Sequence, residues 1–465
     1  MEIYDLVIIG SGPAGYVGGI RAAQIGAKVC IIEKDDLGGV CLNRGCIPTK
    51  TLIKSAEVLA QARDAEEFGV RISGDISLDL AKAMARKDQV VKTLVKGIDS
   101  LLKSWKITVK KGEAKFLSQE KILVESGRVR EEISAGAFLV ATGSSPAQIP
   151  VFPVDGKKIL NSDQMLKLTE VPESILIIGA GAMGCEWAFI LKEFGSEVFI
   201  IELLPQIAPA EDETLGALLL REMKKRKIQA LVGEKILEVK EDSDGILART
   251  ESGEELKVKK IFVSIGRVPN SQNIGLENAG VETDGRGFIK VDSRMQTSAR
   301  KIFSAGDVAG GLLLAHKASA EAKVAVANAL GQREEMDYSV VPSVIFSSPQ
   351  LASVGLKERD AKAKGINYAV SSFQFRALGK AQAIGEIAGE VKLVFEKESQ
   401  RLLGAHIIGP DASALIHELA LALKMNATIK DIAHTIHAHP TLSEAVMEAG
   451  EAGMGMAIHI PKPRL

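Results

Sequence analysis

The stretch GGVCLNRGCIPTK, from Gly38 to Lys50, places Cys41 and Cys46 five residues apart. Two thiols this close can exchange with disulfides as thiolates, hold a metal, or pack as small hydrophobic side chains. A structural zinc site would need a second ligand pair. The chain has only four cysteines, and Cys30 and Cys185 stand in apolar strand-like and helix-like surroundings that suit buried side chains. A second chemistry-bearing stretch is HTIHAHPTLSE, from His434 to Glu444, with three histidines and a carboxylate. Histidine is the side chain best suited to act as a base near neutral pH. The His-x2-His-x-His spacing could also serve a metal, although no other ligand set accompanies it.

These groups need a scaffold, and a repeat within the chain supplies one. LVIIGSGPAGYVGGIRAAQIGAKVCIIEK, from Leu6, matches ILIIGAGAMGCEWAFILKEFGSEVFIIEL, from Ile175. Gly10, Gly12 and Gly15 correspond to Gly179, Gly181 and Gly184 at one constant offset of 169, and Glu33 corresponds to Glu202 at the same offset. Each copy reads as an apolar strand, a glycine-rich turn, a helix and a second strand ending in Glu. That context makes G-x-G-x-x-G a dinucleotide fingerprint. The glycines allow a tight turn, approach of the backbone to a pyrophosphate, and close helix–strand packing. The helix N-terminus offers unpaired N–H groups to the phosphates, and the terminal Glu can accept from a ribose 2′-OH. After Glu202 no Arg or Lys occurs until Arg221. A carboxylate without a neighbouring cation repels a 2′-phosphate, so the second site is expected to prefer NAD over NADP.

At 465 residues the chain should form several domains. The net charge of −1 and the absence of a basic block give no support to nucleic-acid binding. No apolar run reaches the roughly 18–20 residues of a membrane span. The N-terminus enters a strand-like run without a basic leader, so a cytoplasmic protein is expected. LVATGSSP, containing Thr142 and Gly143, reads as the strand leaving the first nucleotide fold. IFVSIGRVPN, containing Gly266, closes the second. TSARKIFSAGDVAG reads as a strand ending at Asp307, which could reach a ribityl or phosphate hydroxyl or cap a helix. Helical pattern runs from about Thr49 to Leu102, broken near Gly69–Asp79. The expected divisions are 1–145, 146–270, a return segment 271–340, and an α+β domain at 341–465.

In order and spacing, the first glycine motif, GGVCLNRGCIPTK, ATGSSP, the second glycine motif, SAGDVAG and HAHPTLSE resemble the flavin-dependent pyridine nucleotide–disulfide oxidoreductases. The likeness spans nearly the whole chain and is greatest to the members that oxidise dihydrolipoamide. It implies an α/β fold with two Rossmann-like dinucleotide-binding domains, FAD in the first and NAD in the second, and a C-terminal α+β dimerisation domain. Site residues implied for FAD are Gly10, Gly12, Gly15, Glu33, Lys50, Thr142, Gly143 and Asp307. Those implied for NAD are Gly179, Gly181, Gly184, Glu186, Glu202 and Gly266, with Glu186 also the ion-pair partner of Lys50.

By the same resemblance Cys41 and Cys46 are a redox-active disulfide pair. Residues i and i+5 of an ideal helix lie about 8–9 Å apart, whereas a disulfide needs Cα atoms within about 7 Å. The oxidised segment is therefore expected to depart from regular helix. Cys46 would exchange electrons with the flavin and Cys41 would exchange with substrate. His439 would be the base, arriving from the second subunit of a homodimer, with Glu444 orienting its ring. His434 and His437 are expected to be structural. The implied reaction is oxidation of dihydrolipoamide on a separate lipoyl-bearing carrier, since no lipoyl domain precedes residue 1. That carrier would belong to a 2-oxo acid dehydrogenase complex or a glycine cleavage system. The alternative is a disulfide reductase of glutathione- or mercuric-reductase type; IHIPKPRL at the C-terminus lacks the extra cysteine pair of the latter. A flavoprotein scaffold with an idle cysteine pair is the reading from another class. Three positions depart from the family pattern: Val40, where a Thr is common; Arg44, whose charge is expected to lower a thiol pKa; and Ser443, where a His is frequent.

Overall fold

A computed structural model describes residues 3–241 and 243–461 of the chain. The last residues of IHIPKPRL, from 462 onward, lie outside that range, as do Met1 and Glu2. Three sheets organise the fold. The first runs in the order Thr108–Lys111, Val29–Glu33, Ile3–Ile9, Val129–Val140, Lys121–Ser126, Glu113–Ser118. Its left half is parallel, and its right half is an antiparallel meander. The strand Val29–Glu33 is buried at every position, as expected of a parallel strand covered on both faces. The return segment adds Ile302–Ser304, parallel to the buried end of Val129–Val140.

The second sheet is wholly parallel, in the order Gln229–Val232, Glu197–Glu202, Ser174–Ile178, Lys260–Val263, Ile159–Leu160. The repeat seen in the sequence reappears as strand register. Leu6 pairs with Val29 in the first sheet, and Ile175 pairs with Val198 in the second. A two-stranded ribbon, Ser144–Pro146 against Arg267–Pro269, ties the strand leaving one nucleotide fold to the strand leaving the other. The third sheet is antiparallel, in the order Ser343–Ile345, Gln350–Gly355, Leu402–Gly409, Glu390–Glu396, Tyr368–Gln374. Helices Ala412–Lys424 and Glu444–Gly453 bury Ile416, Leu419, Val446 and Ala449 in the same core as that sheet.

The helical region after the cysteines begins at Cys46 and runs to Arg63. It resumes at Leu80–Ser104 after a 3₁₀ turn at Ala65–Phe68 and an extended stretch. Asp307 opens a 3₁₀ turn, Asp307–Ala309, and the following helix starts only at Ala315, so Asp307 is not its N-cap. Among the described residues no helix is long and apolar enough to cross a membrane.

A buried ion pair fastens the third sheet to the N-terminus of the helix Glu213–Lys225. Lys392 Nζ lies 2.8 Å from Asp212 Oδ1, with both side chains no more than 5% exposed, and also 2.8 Å from Glu358 Oε1. Burial alone would raise the Asp212 carboxyl. The Lys392 hydrogen bond and the charges of His406 and Lys392 reverse this and hold it below its ordinary value. Its stabilisation is therefore complete above the unfolded carboxyl's pKa of about 3.9, and is lost as pH falls through the lower folded value. Lys392→Met should destabilise the fold by roughly 3–5 kcal/mol near neutral pH by stranding a buried carboxylate. Denaturant unfolding checks this. The double change Lys392→Met with Asp212→Leu should recover most of the loss.

Candidate active site

The cysteine stretch folds as two helices, not one. Gly39–Arg44 is a short helix begun by Gly38 at φ 89°. It stops at Gly45, where φ −141° and ψ −111° break the spiral, and Cys46–Arg63 follows. A Cβ on Gly45 would sit 3.0 Å from the Val40 carbonyl oxygen and 3.3 Å from Cys41 Cα, so the break also keeps the two segments close. Across it the Cys41 and Cys46 sulfurs lie 2.6 Å apart.

The sulfurs are unequal. The Cys46 thiol is lowered to about 7, first by the hydrogen bond from Cys41 and then, against burial, by the charge of Lys50. The Cys41 thiol is raised, first by that same hydrogen bond, then by burial and the neighbouring Cys46 charge. Lys50 falls one helical turn beyond Cys46 and so shares its face. Its ammonium is fixed by Glu186, with Nζ 2.8 Å from both carboxylate oxygens. Glu186 is buried in the helix of the second glycine motif. Phe346, from the edge of the third sheet, donates its N–H to Glu186 at 3.0 Å and places its ring 4.6 Å from Lys50 Nζ. Arg44 does not supply the cation that its position suggested. Its Nη2 lies 2.6 Å from Asp35, and its Nε lies 4.0 Å from Asp163. The cation acting on the sulfurs is Lys50, and the Arg44 guanidinium is paired with these carboxylates.

A cavity of about 890 Å³ runs from Gly12 and Glu33 past Thr142, Gly143 and Asp307 to Cys46 and Lys50. The helix Pro13–Gln24 opens onto it with Gly12 as N-cap and no side chain covering its free N–H groups. Glu33 accepts the Ser11 N–H at 2.8 Å and the Asp35 N–H at 2.7 Å, so it also braces the glycine turn. Asp307 Oδ2 accepts from Ser144 Oγ at 2.5 Å, and Arg267 Nε donates to that hydroxyl at 2.7 Å. Thr142 Oγ1 donates to the Asn270 carbonyl at 2.7 Å. The glycines divide their work. A Cβ on Gly15 would lie 1.9 Å from the Gly10 oxygen, and one on Gly10 2.3 Å from the Ala141 oxygen, whereas Gly12 would meet nothing closer than 3.9 Å. The outer two serve packing, and the middle one leaves room for a phosphate. The shape and donors of this cavity suit FAD.

The second motif repeats this geometry. A Cβ on Gly184 would lie 2.0 Å from the Gly179 oxygen, and one on Gly181 would meet nothing within 4 Å. Glu202 accepts the Ala180 N–H at 2.8 Å and the Leu204 N–H at 2.9 Å. Gly266, at φ 106°, precedes Arg267 and has open space where a Cβ would stand. Gly179, Gly181, Gly184, Glu202 and Gly266 do not line the cysteine cavity; Ala182, Met183 and Glu186 from the same helix do. The second motif thus leaves its own helix N-terminus open, apart from the cysteine cavity.

His439 Nδ1 lies 2.8 Å from Glu444 Oε1, and Glu444 Oε2 accepts the Thr441 N–H at 2.9 Å. Burial would raise Glu444, but that N–H and His439 hold it below its ordinary value. The His439 side chain is 76% exposed and does not line the cysteine cavity of its own chain. His437 bonds Glu418 at 2.9 Å, and His434 is exposed. Among the described residues no three His, Cys, Asp or Glu side chains group as a metal would require. Sequence reasoning missed Phe346, Ser144 and Arg267. The last two flank residues it did single out, in ATGSSP and IGRVPN, whereas Phe346 carries no local signal.

The chain is similar to known proteins over nearly its whole length. Residues 4–322 match the pyridine nucleotide-disulphide oxidoreductase family, and residues 341–450 match its dimerisation domain. The chain is 43% identical to a dihydrolipoyl dehydrogenase of Thermus scotoductus over 99% of both chains. It is also 43% identical to one of Bacillus subtilis, over 98% of this chain and 99% of that one. Among solved structures, LpdA of Mycobacterium tuberculosis superposes with a TM-score of 0.90 at 26% identity, covering 97% of this chain and 99% of that one.

The glycine geometry makes a differential prediction. Gly184→Ala should destabilise the fold by about 1–3 kcal/mol through overpacking. Gly181→Ala should leave the melting temperature unchanged while raising the KM for NAD roughly tenfold by crowding the helix N-terminus. Thermal unfolding and steady-state kinetics on the two variants check this.

Proposed function

The chain belongs to the pyridine nucleotide-disulphide oxidoreductase family, and from that premise we propose that it oxidises protein-bound dihydrolipoamide to lipoamide with reduction of NAD. In this balance a dithiol loses two electrons and two protons, and NAD becomes NADH with release of one proton. The observation that carries the reading is the facing pair Cys41 and Cys46, 2.6 Å apart, with Lys50 acting on Cys46 inside a dinucleotide cavity.

The residues divide the work as follows. A substrate thiolate attacks Cys41 of the oxidised pair, and the bond to Cys46 breaks. Cys46 is the better leaving group because its thiol is the more acidic. The second substrate thiolate then attacks the mixed disulfide, releases Cys41 and closes the product disulfide. His439 takes the substrate protons, and Glu444 holds its ring and stabilises the imidazolium. A bound FAD would supply a two-electron acceptor for the reduced Cys41 and Cys46, and a bound NAD would supply the final hydride acceptor. Gly10, Gly12, Gly15, Glu33, Lys50, Thr142, Gly143 and Asp307 would hold FAD. Gly179, Gly181, Gly184, Glu186, Glu202 and Gly266 would hold NAD. We assign FAD to 1–145 with the return segment 271–340, NAD to 146–270, and the subunit contact to 341–465.

The family's dimerisation domain makes the chain a homodimer. The exposure of His439 and its absence from its own cysteine cavity support an active site shared between subunits. The lipoyl group would be carried by a 2-oxo acid dehydrogenase complex or a glycine cleavage system, and the cytoplasm suits both. Glu202 without a neighbouring cation disfavours the NADPH reductase alternative.

His439→Gln should lower kcat/KM for dihydrolipoamide by roughly 10²–10⁴. Mixed dimers of inactive Cys41→Ser and inactive His439→Gln chains should regain activity, because one of their two sites is intact. Mixing that restores nothing would contradict the shared site. NAD should be preferred over NADP by at least roughly tenfold in kcat/KM, and rapid NADP use would defeat the argument from Glu202.

A further inference from the structure

Helix Ala315–Ala329 carries Lys317 and Glu321 one turn apart, with side chains 0% and 2% exposed. The redox chemistry uses neither. Lys317 Nζ donates to Glu321 Oε1 at 3.0 Å, to the Gly310 carbonyl at 2.8 Å and to the Gly306 carbonyl at 3.4 Å. Glu321 Oε2 accepts the Gly306 N–H at 2.8 Å, and its Oε1 accepts the Tyr338 hydroxyl at 2.7 Å. Every loop bond of the pair therefore ends on the two glycines that bracket the turn Asp307–Ala309. Those glycines have φ 85°, ψ −158° and φ 79°, ψ −155°, a region essentially closed to other residues. The turn carries Asp307 into the cavity beside Ser144 and Arg267.

A buried ion pair is a poor device for stability, since well-packed apolar side chains of similar volume do as well or better. This one spends its remaining donors and acceptors on a single loop and on the Tyr338 hydroxyl. We propose that the buried pair Lys317 and Glu321, with Tyr338 bonded to it, forms a clamp that presets the 306–310 loop for the flavin nucleotide, making them positioning residues for cofactor retention. The proposal rests on the reading of the cavity as an FAD site. Tyr338 belongs to the segment leading into the third sheet, and its neighbour Asp337 is bonded by Lys424 at 2.7 Å. The clamp thus reaches the C-terminal domain as well.

The test is the rate at which diluted holoenzyme releases FAD, read as the rise of free flavin fluorescence. The double change Lys317→Met with Glu321→Gln avoids stranding a charge. It should speed release by about 10–100-fold, the loss of one or two charge-assisted hydrogen bonds. With excess FAD present its unfolding midpoint should stay near that of the wild type. Tyr338→Phe, which removes one hydroxyl from a half-exposed side chain, should speed release about 2–5-fold. It serves alone if the double variant does not fold. Release within twofold of wild type in Tyr338→Phe, or a lowered unfolding midpoint with unchanged release in the double variant, overturns the clamp. Wild-type protein that purifies without flavin and takes up none overturns the cavity reading instead, and the clamp with it.

Discussion

The ion pair between Lys50 and Glu186 is the constraint on which the rest depends. An ammonium beside a thiol lowers that thiol's pKa only if it is held there. Lys50 is long and flexible, and Glu186 fixes it with two 2.8 Å contacts. Glu186 is itself buried and would be costly without its partner. Its remaining acceptor capacity goes to the Phe346 N–H. Three parts of the chain therefore meet at one charge: the cysteine helix, the helix of the second glycine motif and the edge of the third sheet. The hydrogen bond between the sulfurs sets their difference first, and the charge held at that meeting adds to it on the Cys46 side. The Cys46 thiol is lowered and the Cys41 thiol raised.

The duplicated nucleotide fold explains how the parts are brought together. The two copies share strand register, glycine geometry and a carboxylate that braces the turn. They differ in surroundings. The first faces a cavity closed by the return segment, the ribbon and the cysteine helices. The second leaves Gly181 facing open space while its helix sends Met183 and Glu186 into the first copy's cavity. One helix thereby has open space at its own N-terminus and sends side chains into the cavity of the other copy.

Much of this was legible in the sequence, for physical reasons. Glycine spacing reports backbone approach distances, and the constant offset of 169 reappears as matching registers. The grouping of Cys41, Cys46, Lys50 and Glu186 was implied by the family resemblance. Arg44 shows the limit. Its place between the cysteines suggested that it would act on them, but local spacing does not reveal that Asp35 and Asp163 stand on its other side. Lys317, Glu321 and Phe346 carried no signal, because a charge on a helix reads as solvated until the fold buries it. The departure from helix at Gly45 was expected from the reach of a disulfide, whereas the turn Asp307–Ala309 was hidden because its backbone is set by tertiary bonds, not by propensity.

The most direct measurement is the titration of each thiol in the reduced protein, by pH-dependent alkylation quantified on the two cysteine-bearing peptides. The account predicts that Cys46 titrates near 7, that Cys41 titrates well above an ordinary thiol, and that Lys50→Met moves Cys46 upward. Two thiols titrating together at the ordinary value of about 8.5, or a Cys46 indifferent to the loss of Lys50, would contradict it.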